Sequence, residues 1–256
     1  MIDERAVVSP SAVIHDNVSI GPFSVIGDHV EIGSGTRIES HVVIKGPTRI
    51  GTDNRIYQFA AIGDDPQDKK YAGESTRLSI GNGNTIREYV TNNRGTAQDR
   101  GETTIGDDNW IMAYVHIAHD CVVGDHTIFA NGATLAGHVI IGDYVILAGY
   151  SGVHQFGRVG PHAFLGMYAG VSRDVPAYVM VMGYPPAPRG VNVEGLKRRG
   201  FTAEQIRNIR DAYRVIYRQG RKLAEAVEEL TLRVTEQPEL APMLEALRNT
   251  DRSILR

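Results

Sequence analysis

The sequence predicts a mostly β fold: a parallel β-helix followed by an α-helical subdomain at its C-terminal end. Three observations carry this. A branched aliphatic recurs at every sixth position through Ile2, Val8, Ile14, Ile20, Ile26, Ile32, Ile38, Ile44, Ile50, Ile56 and Ile62, and Ile80 and Ile86 keep that frame. A second frame runs through Ile105, Ile111, Ile117, Val123, Phe129, Leu135, Ile141, Leu147, Val153, Val159, Leu165 and Val171. Past Val171 the apolar spacing turns helical. A period of six fits neither an amphipathic helix nor an alternating strand. It fits hexapeptides that are each a short strand and a turn, three of them closing one triangular coil. A chance run of β-branched residues in a sandwich would not hold one frame for so many repeats.

Taken in order, the coil starts at residue 2, so no separate domain is expected before it. Between Ile62 and Ile80 the frame puts Asp68 and Glu74 in inward slots, where unpaired charge is too costly to bury. Residues 64–78 are therefore expected as a loop. Between Ile86 and Ile105 the frame slips by one residue, with Asn92 and Gln98 in inward slots, so a second loop is expected over about 93–103. The expected division is a β-helix domain over 1–185 and a helical subdomain over 186–256. In the latter, Thr202 and Gln205 form a capping box ahead of the stripe Ile206, Ile209, Tyr213, Ile216 and Tyr217, with Gly220 as a stop. Leu223, Val227, Leu230 and Val234 mark a second helix, and Pro238 opens a third carrying Leu240, Leu244 and Leu247. From Arg189 to Lys222 there are ten basic and three acidic residues, with Arg207, Arg210, Arg214, Arg218 and Arg221 at helical spacing. That stripe is either a solvated helix face or a dock for an acidic partner.

The single cysteine, Cys121, excludes an internal disulfide and suits a reducing compartment. No secretory leader and no apolar run long enough to span a membrane is visible, so a cytoplasmic location is expected. A net charge of −3 argues against general nucleic-acid binding.

Chemistry concentrates where the repeat stacks histidines. With three hexapeptides to a coil, His119, His138 and His154 fall at nearly one corner of successive coils, and His116 lies just before it. Two chemistries suit the cluster: a zinc site, or general-base catalysis on an alcohol. Asp120 beside His119 could accept the imidazole N–H, and Gly137, stacked on His119, could offer a bare N–H to an oxyanion.

The runs His116-Ile117-Ala118-His119-Asp120-Cys121, Leu135-Ala136-Gly137-His138-Val139, Val153-His154-Gln155-Phe156 and Gly195-Leu196-Lys197-Arg198-Arg199-Gly200-Phe201, with Gln67-Asp68 and Lys70-Tyr71-Ala72-Gly73-Glu74, closely resemble the UDP-N-acetylglucosamine O-acyltransferases that begin lipid A synthesis. The resemblance covers essentially the whole chain. It implies a left-handed coil and a homotrimer with active sites between subunits. It also implies transfer of a 3-hydroxyacyl group from acyl carrier protein to the 3-hydroxyl of UDP-N-acetylglucosamine. No cofactor is implied beyond the carrier's phosphopantetheine, and no metal. By the same resemblance His119 is the general base, Asp120 its orienter and Gly137 the oxyanion donor. Asp68, Lys70, His116, His138, His154 and Gln155 contact substrate, with Asn192, Glu194, Arg198 and Arg199 near the nucleotide. Met167 takes the place of the acyl-length ruler and implies a shorter chain, about ten carbons rather than about fourteen. The chain departs from the family pattern at Asn92-Asn93, where Ile-His is usual, and at Ser75 and Tyr184. The alternatives are the N-acyltransferase of the same pathway, which carries an extra N-terminal domain, and the hexapeptide carbonic anhydrases, which hold zinc through three histidines.

Overall fold

The structure, a computed structural model, describes residues 1–250 and 252–256. Each hexapeptide gives a strand of mostly two residues and a turn, and strands three hexapeptides apart pair in parallel. Three sheets result, of nine, eight and ten strands, forming the faces of a triangular prism. The first face carries His116–Ile117, Thr134–Leu135, Gly152–Val153 and Gly170–Val171. The second carries Val122–Val123, Ile140–Ile141 and Arg158–Val159. The third carries Ile128–Phe129, Ile146–Leu147 and Phe164–Leu165.

The frame residues fill the prism. Ile32, Ile44, Ile56, Ile86, Ile111, Ile117, Phe129, Leu135 and Leu147 are fully buried. At the inner corner between the second and third faces an amide ladder replaces the aliphatics. Asn54 Oδ1 accepts the Asn84 N–H, Asn84 Oδ1 the Asn109 N–H, and Asn109 Oδ1 the Thr127 N–H. The ladder satisfies corner backbone that a sheet cannot reach.

Asn92 is a different case. It occupies an inward slot of the first face between Ile62 and Ile117, is 0% exposed, and among the described residues neither atom of its amide has a hydrogen-bond partner. The strand Thr91–Asn93 keeps both asparagines in the sheet, so the second loop spans only 94–101. The first loop likewise tightens to 65–76, because Ala61–Asp64 and Arg77–Ile80 run as four-residue strands.

At the C-terminal end Val179–Met182 continues the third face, and Ala187–Val191 turns back to pair with it antiparallel. That strand lies beyond the boundary expected at 185. Among the described residues four α-helices follow: α1 (Val193–Arg198), α2 (Ala203–Tyr217), α3 (Leu223–Arg233) and α4 (Ala241–Arg248). The spacing did not predict α1, which is short and capped by Asn192, whose side chain accepts the Gly195 N–H. The Thr202–Gln205 capping box is closed in both directions, and Ile206, Ile209, Tyr213 and Ile216 are buried along α2. Pro238 opens a short 3-10 turn that runs into α4. Among the described residues no helix is long and apolar enough to cross a membrane.

Candidate active site

Both loops and most of the candidate histidines share one edge of the prism, where the first face turns into the second. The 65–76 loop leaves after the first-face strand Ala61–Asp64, and the 94–101 loop after Thr91–Asn93. The next three turns on that edge carry His119-Asp120, Gly137-His138 and His154-Gln155-Phe156. Asp120 and His138 take positive φ values of 59° and 65°, so the chain turns sharply and presents the neighbouring side chains outward.

His119 Nδ1 lies 2.9 Å from Asp120 Oδ2. The carboxylate is buried and held by the 94–101 loop: its two oxygens accept the Thr96 N–H at 3.0 Å each, and Oδ2 accepts the Thr96 hydroxyl at 2.6 Å. The Asp120 N–H in turn donates to Thr103 Oγ1 at 2.8 Å. Burial pushes the Asp120 carboxyl up, but the hydrogen bonds from His119 and Thr96 outweigh it and hold its pKa below the ordinary value. An ionised carboxylate only accepts, so the proton of neutral His119 sits on Nδ1 and Nε2 keeps a free lone pair. A Cβ placed on Gly137 would lie 2.5 Å from His119 Cε1 and 2.7 Å from Nε2. Only glycine leaves that side of the ring clear. The Gly137 carbonyl accepts the Phe156 N–H, while its own N–H has no acceptor among the described residues.

His138 stands edge-on to His119, with centroids 4.9 Å apart, and lies flat on Phe156 at 4.3 Å. Its Nδ1 meets Asp99 Oδ2 of the 94–101 loop at 2.6 Å. His116 is on the first face rather than at the corner; its Nδ1 meets Thr91 Oγ1 at 2.7 Å, and burial, then nearby His119, lowers its pKa. His154 and Gln155 are exposed, two turns beyond His119. Cys121 is fully buried and its thiol is pushed up to about 12, so it is no nucleophile.

Other candidates lie elsewhere on the chain. Asp68 and Lys70 ride the 65–76 loop, where Asp68 Oδ1 accepts the Lys70 N–H, and among the described residues neither side chain bonds to a histidine of the cluster. That loop is tied to the 94–101 loop through Arg94, which donates to the Gly63 carbonyl, to Asp65 and to the Tyr71 hydroxyl. Asn192, Glu194, Arg198 and Arg199 line a cavity of about 340 Å³ on the third face, with Tyr144 and His162. Arg199 covers the Tyr144 ring at 4.6 Å, and burial, then Arg199, pushes His162 down to about 4. The third face lies opposite the histidine edge, so within one chain these four residues do not meet His119. Met167 is 59% exposed on the remaining edge, between the third and first faces. Between that edge and His119 the outward positions of the first face are His116, Thr134, Gly152 and Gly170. A Cβ on Gly170 would touch nothing within 4 Å, so the strip is open at its glycine end.

Sequence reasoning missed Thr96, Asp99, Thr103 and Phe156. Only the sixfold phase of Phe156 hinted at its place; the loop contacts depend on how residues 94–101 fold back. His119, Asp120 and His138 offer ligand atoms within 4.8 Å of one another. An ion there would compete with His119 and Thr96 for the same Asp120 oxygen, so the donor set suits an oriented base better than a cation.

Residues 11–46 and 102–137 match the bacterial transferase hexapeptide repeat, and residues 174–255 match the second domain of the UDP-N-acetylglucosamine O-acyltransferases. The acyl-[acyl-carrier-protein]–UDP-N-acetylglucosamine O-acyltransferase of Pseudomonas syringae pv. syringae is 52% identical over 256 residues, covering 100% of this chain and 99% of that one. This chain belongs to that O-acyltransferase family. The family's Halorhodospira halophila protein is 55% identical over 206 residues, 80% of each chain. Among solved structures, the UDP-N-acetylglucosamine acyltransferase of Francisella novicida superposes with a TM-score of 0.99 at 47% identity, covering 100% of this chain and 94% of that one. The O-acyltransferase of Moraxella catarrhalis gives 0.98 at 45% identity, with 100% and 99% covered. The family fold is thus the one the hexapeptide frame predicts, a parallel β-helix with C-terminal helices.

Proposed function

We propose that this chain transfers a 3-hydroxyacyl group from acyl carrier protein to the 3-hydroxyl of UDP-N-acetylglucosamine, the first step of lipid A synthesis, with His119 as general base. The observation that carries this is the buried array Thr96–Asp120–His119 with Gly137 against the Nε2 side of the ring. Nε2 takes the sugar hydroxyl proton as the oxygen attacks the thioester carbonyl. The Gly137 N–H faces the oxyanion of the tetrahedral intermediate. Collapse expels the phosphopantetheine thiolate, which takes the proton back from the imidazolium. The acyl group arrives already activated, so no resident cofactor or metal is needed.

The rest of the site calls for a second copy. In a homotrimer about a threefold axis parallel to the prisms, the third face of one subunit would approach the histidine edge of the next. That would join Asn192, Glu194, Arg198 and Arg199 to His119, with Asp68, Lys70, His138, His154 and Gln155 around the sugar. The strip from His116 over Thr134, Gly152 and Gly170 would hold the acyl chain, and Met167 at its far edge would set its length. In this reading residues 1–185 are the catalytic prism, 186–256 help bind nucleotide and carrier, and the protein works in the cytoplasm, where both substrates are made.

The test is transfer from 3-hydroxyacyl carrier proteins of several lengths to UDP-N-acetylglucosamine, with the product's ester mapped to the 3-oxygen. No ester under saturating substrates would reject the reading. About one zinc per chain after purification, with activity lost on chelation, would favour the carbonic-anhydrase alternative.

A further inference from the structure

The C-terminal tail returns to the histidine edge. The Leu255 N–H donates to the Asp174 carbonyl at 2.8 Å, the Asp174 N–H to the Ser253 carbonyl, and Ile254 and Leu255 are buried. This anchoring presents Arg252. Its guanidinium lies over the Phe156 ring at 5.3 Å, donates to the Gln155 carbonyl at 3.1 Å and sits 3.3 Å from His154 Nδ1. A continuous stack therefore runs His119, His138, Phe156, Arg252. Arg158 lines the same cleft of about 270 Å³. Arg173, at the next turn of the edge, donates to the Arg252 carbonyl at 3.0 Å.

Among the described residues none of these three arginines pairs with a carboxylate side chain. The one acid in the cleft, Asp174, is buried, and its Oδ1 already accepts the Arg158 backbone N–H at 2.9 Å. Arg252 is held over Phe156 by a pinned backbone, so less freedom is lost when it binds an anion than for a mobile surface arginine. Guanidinium groups around one cleft suit a phosphate, which they can bind in bidentate fashion.

We propose that Arg158, Arg173 and Arg252 form a phosphate-binding rim at the end of the catalytic edge, and that it takes the phosphodiester at the root of the carrier's pantetheine arm. The inference rests on the acyl-transfer reading. The rim lies two to three turns beyond His119, about 10–15 Å along the prism axis at the spacing of neighbouring strands. The arm must place its phosphate well away from its thioester. In the same reading the nucleotide's phosphates already have Arg198 and Arg199.

The test compares wild type with Arg252→Ala, Arg252→Lys and the double variant Arg158→Ala/Arg173→Ala. Binding is measured by calorimetry with 4′-phosphopantetheine and with pantetheine, which lacks the phosphate. Wild type should bind the phosphorylated compound about tenfold more tightly, and Arg252→Ala and the double variant should lose that difference while Arg252→Lys keeps part of it. In steady-state assays Arg252→Ala should raise KM for the 3-hydroxyacyl carrier protein about tenfold with kcat little changed. A rise in KM for UDP-N-acetylglucosamine alone would overturn the assignment to the carrier and move the rim to the nucleotide diphosphate. No phosphate dependence of binding and no change in either KM would overturn the rim altogether. Because the calorimetry needs no turnover, a wild type that fails to acylate the sugar would sink the acyl-transfer reading and still leave the rim tested.

Discussion

Replacing Gly137 by alanine adds one methyl group against the proposed base. That methyl carbon would stand 2.5 Å from His119 Cε1, 2.7 Å from Nε2 and 3.2 Å from Nδ1. Carbon contacts in proteins settle at about 3.5–4.0 Å, so the ring or the backbone must retreat by about 1 Å. The ring is not free to do so, because Nδ1 is tied to an Asp120 carboxylate that Thr96 holds in turn. Overpacking of this kind costs about 1–3 kcal/mol of stability. A misplacement of about 1 Å at a reacting group costs about a hundredfold in rate. Gly137→Ala should therefore lower kcat by about two orders of magnitude while leaving KM for UDP-N-acetylglucosamine within a factor of a few. The assay is steady-state transfer from 3-hydroxyacyl carrier protein, with calorimetry of the nucleotide-sugar and a melting curve to show that the variant is folded. A folded variant whose kcat stays within about threefold of wild type would refute the placement of Nε2 against Gly137.

Three further outcomes are expected. Met167→Gly should shift the acyl preference from about ten carbons toward longer chains, since each methylene admitted to the groove contributes about 0.8 kcal/mol; a chain-length profile that does not move would remove Met167 as the ruler. Asn92→Ile should raise the melting temperature by a few degrees, because it removes an unpaired buried amide that costs about 1–3 kcal/mol and restores an aliphatic between Ile62 and Ile117; a lower melting temperature would mean that the slot is built around the asparagine. If sites are shared between subunits, His119→Ala and Arg199→Ala should each be nearly inactive alone. Their co-assembled mixture should recover about a quarter of wild-type activity, the share of sites drawing an intact residue from each neighbour. A mixture no better than the mean of its parents would place each site within one chain.

The prism was legible because its signal is redundant. Some two dozen aliphatics repeat one inward position, and a slip of one residue would turn every strand inside out. The loops were legible for the converse reason, that Asp68, Glu74 and Gln98 could not occupy inward slots. Asn92 broke the same logic: it does occupy its slot, unpaired, so the second loop was expected one residue too early. The strand Ala187–Val191 was hidden by Pro185, Pro186 and Pro188, which break any strand pattern there, and α1 is too short to show a period. His119, Asp120 and Gly137 could be brought together by counting turns of the coil. Thr96, Asp99 and Arg252 could not, because a loop and a tail fold back without any repeat to count by. The hand of the coil was never in the spacing; it came with the resemblance.

Activation of the sugar hydroxyl by His119 is open to direct test in His119→Ala, with turnover and binding measured on the same preparation. Loss of a base within hydrogen-bond reach should lower kcat by about 10²–10⁴-fold. Calorimetric affinity for UDP-N-acetylglucosamine should stay near wild type, since the removed ring acts on the reacting proton more than on the nucleotide. A folded His119→Ala variant that keeps about a third or more of wild-type kcat would contradict the account.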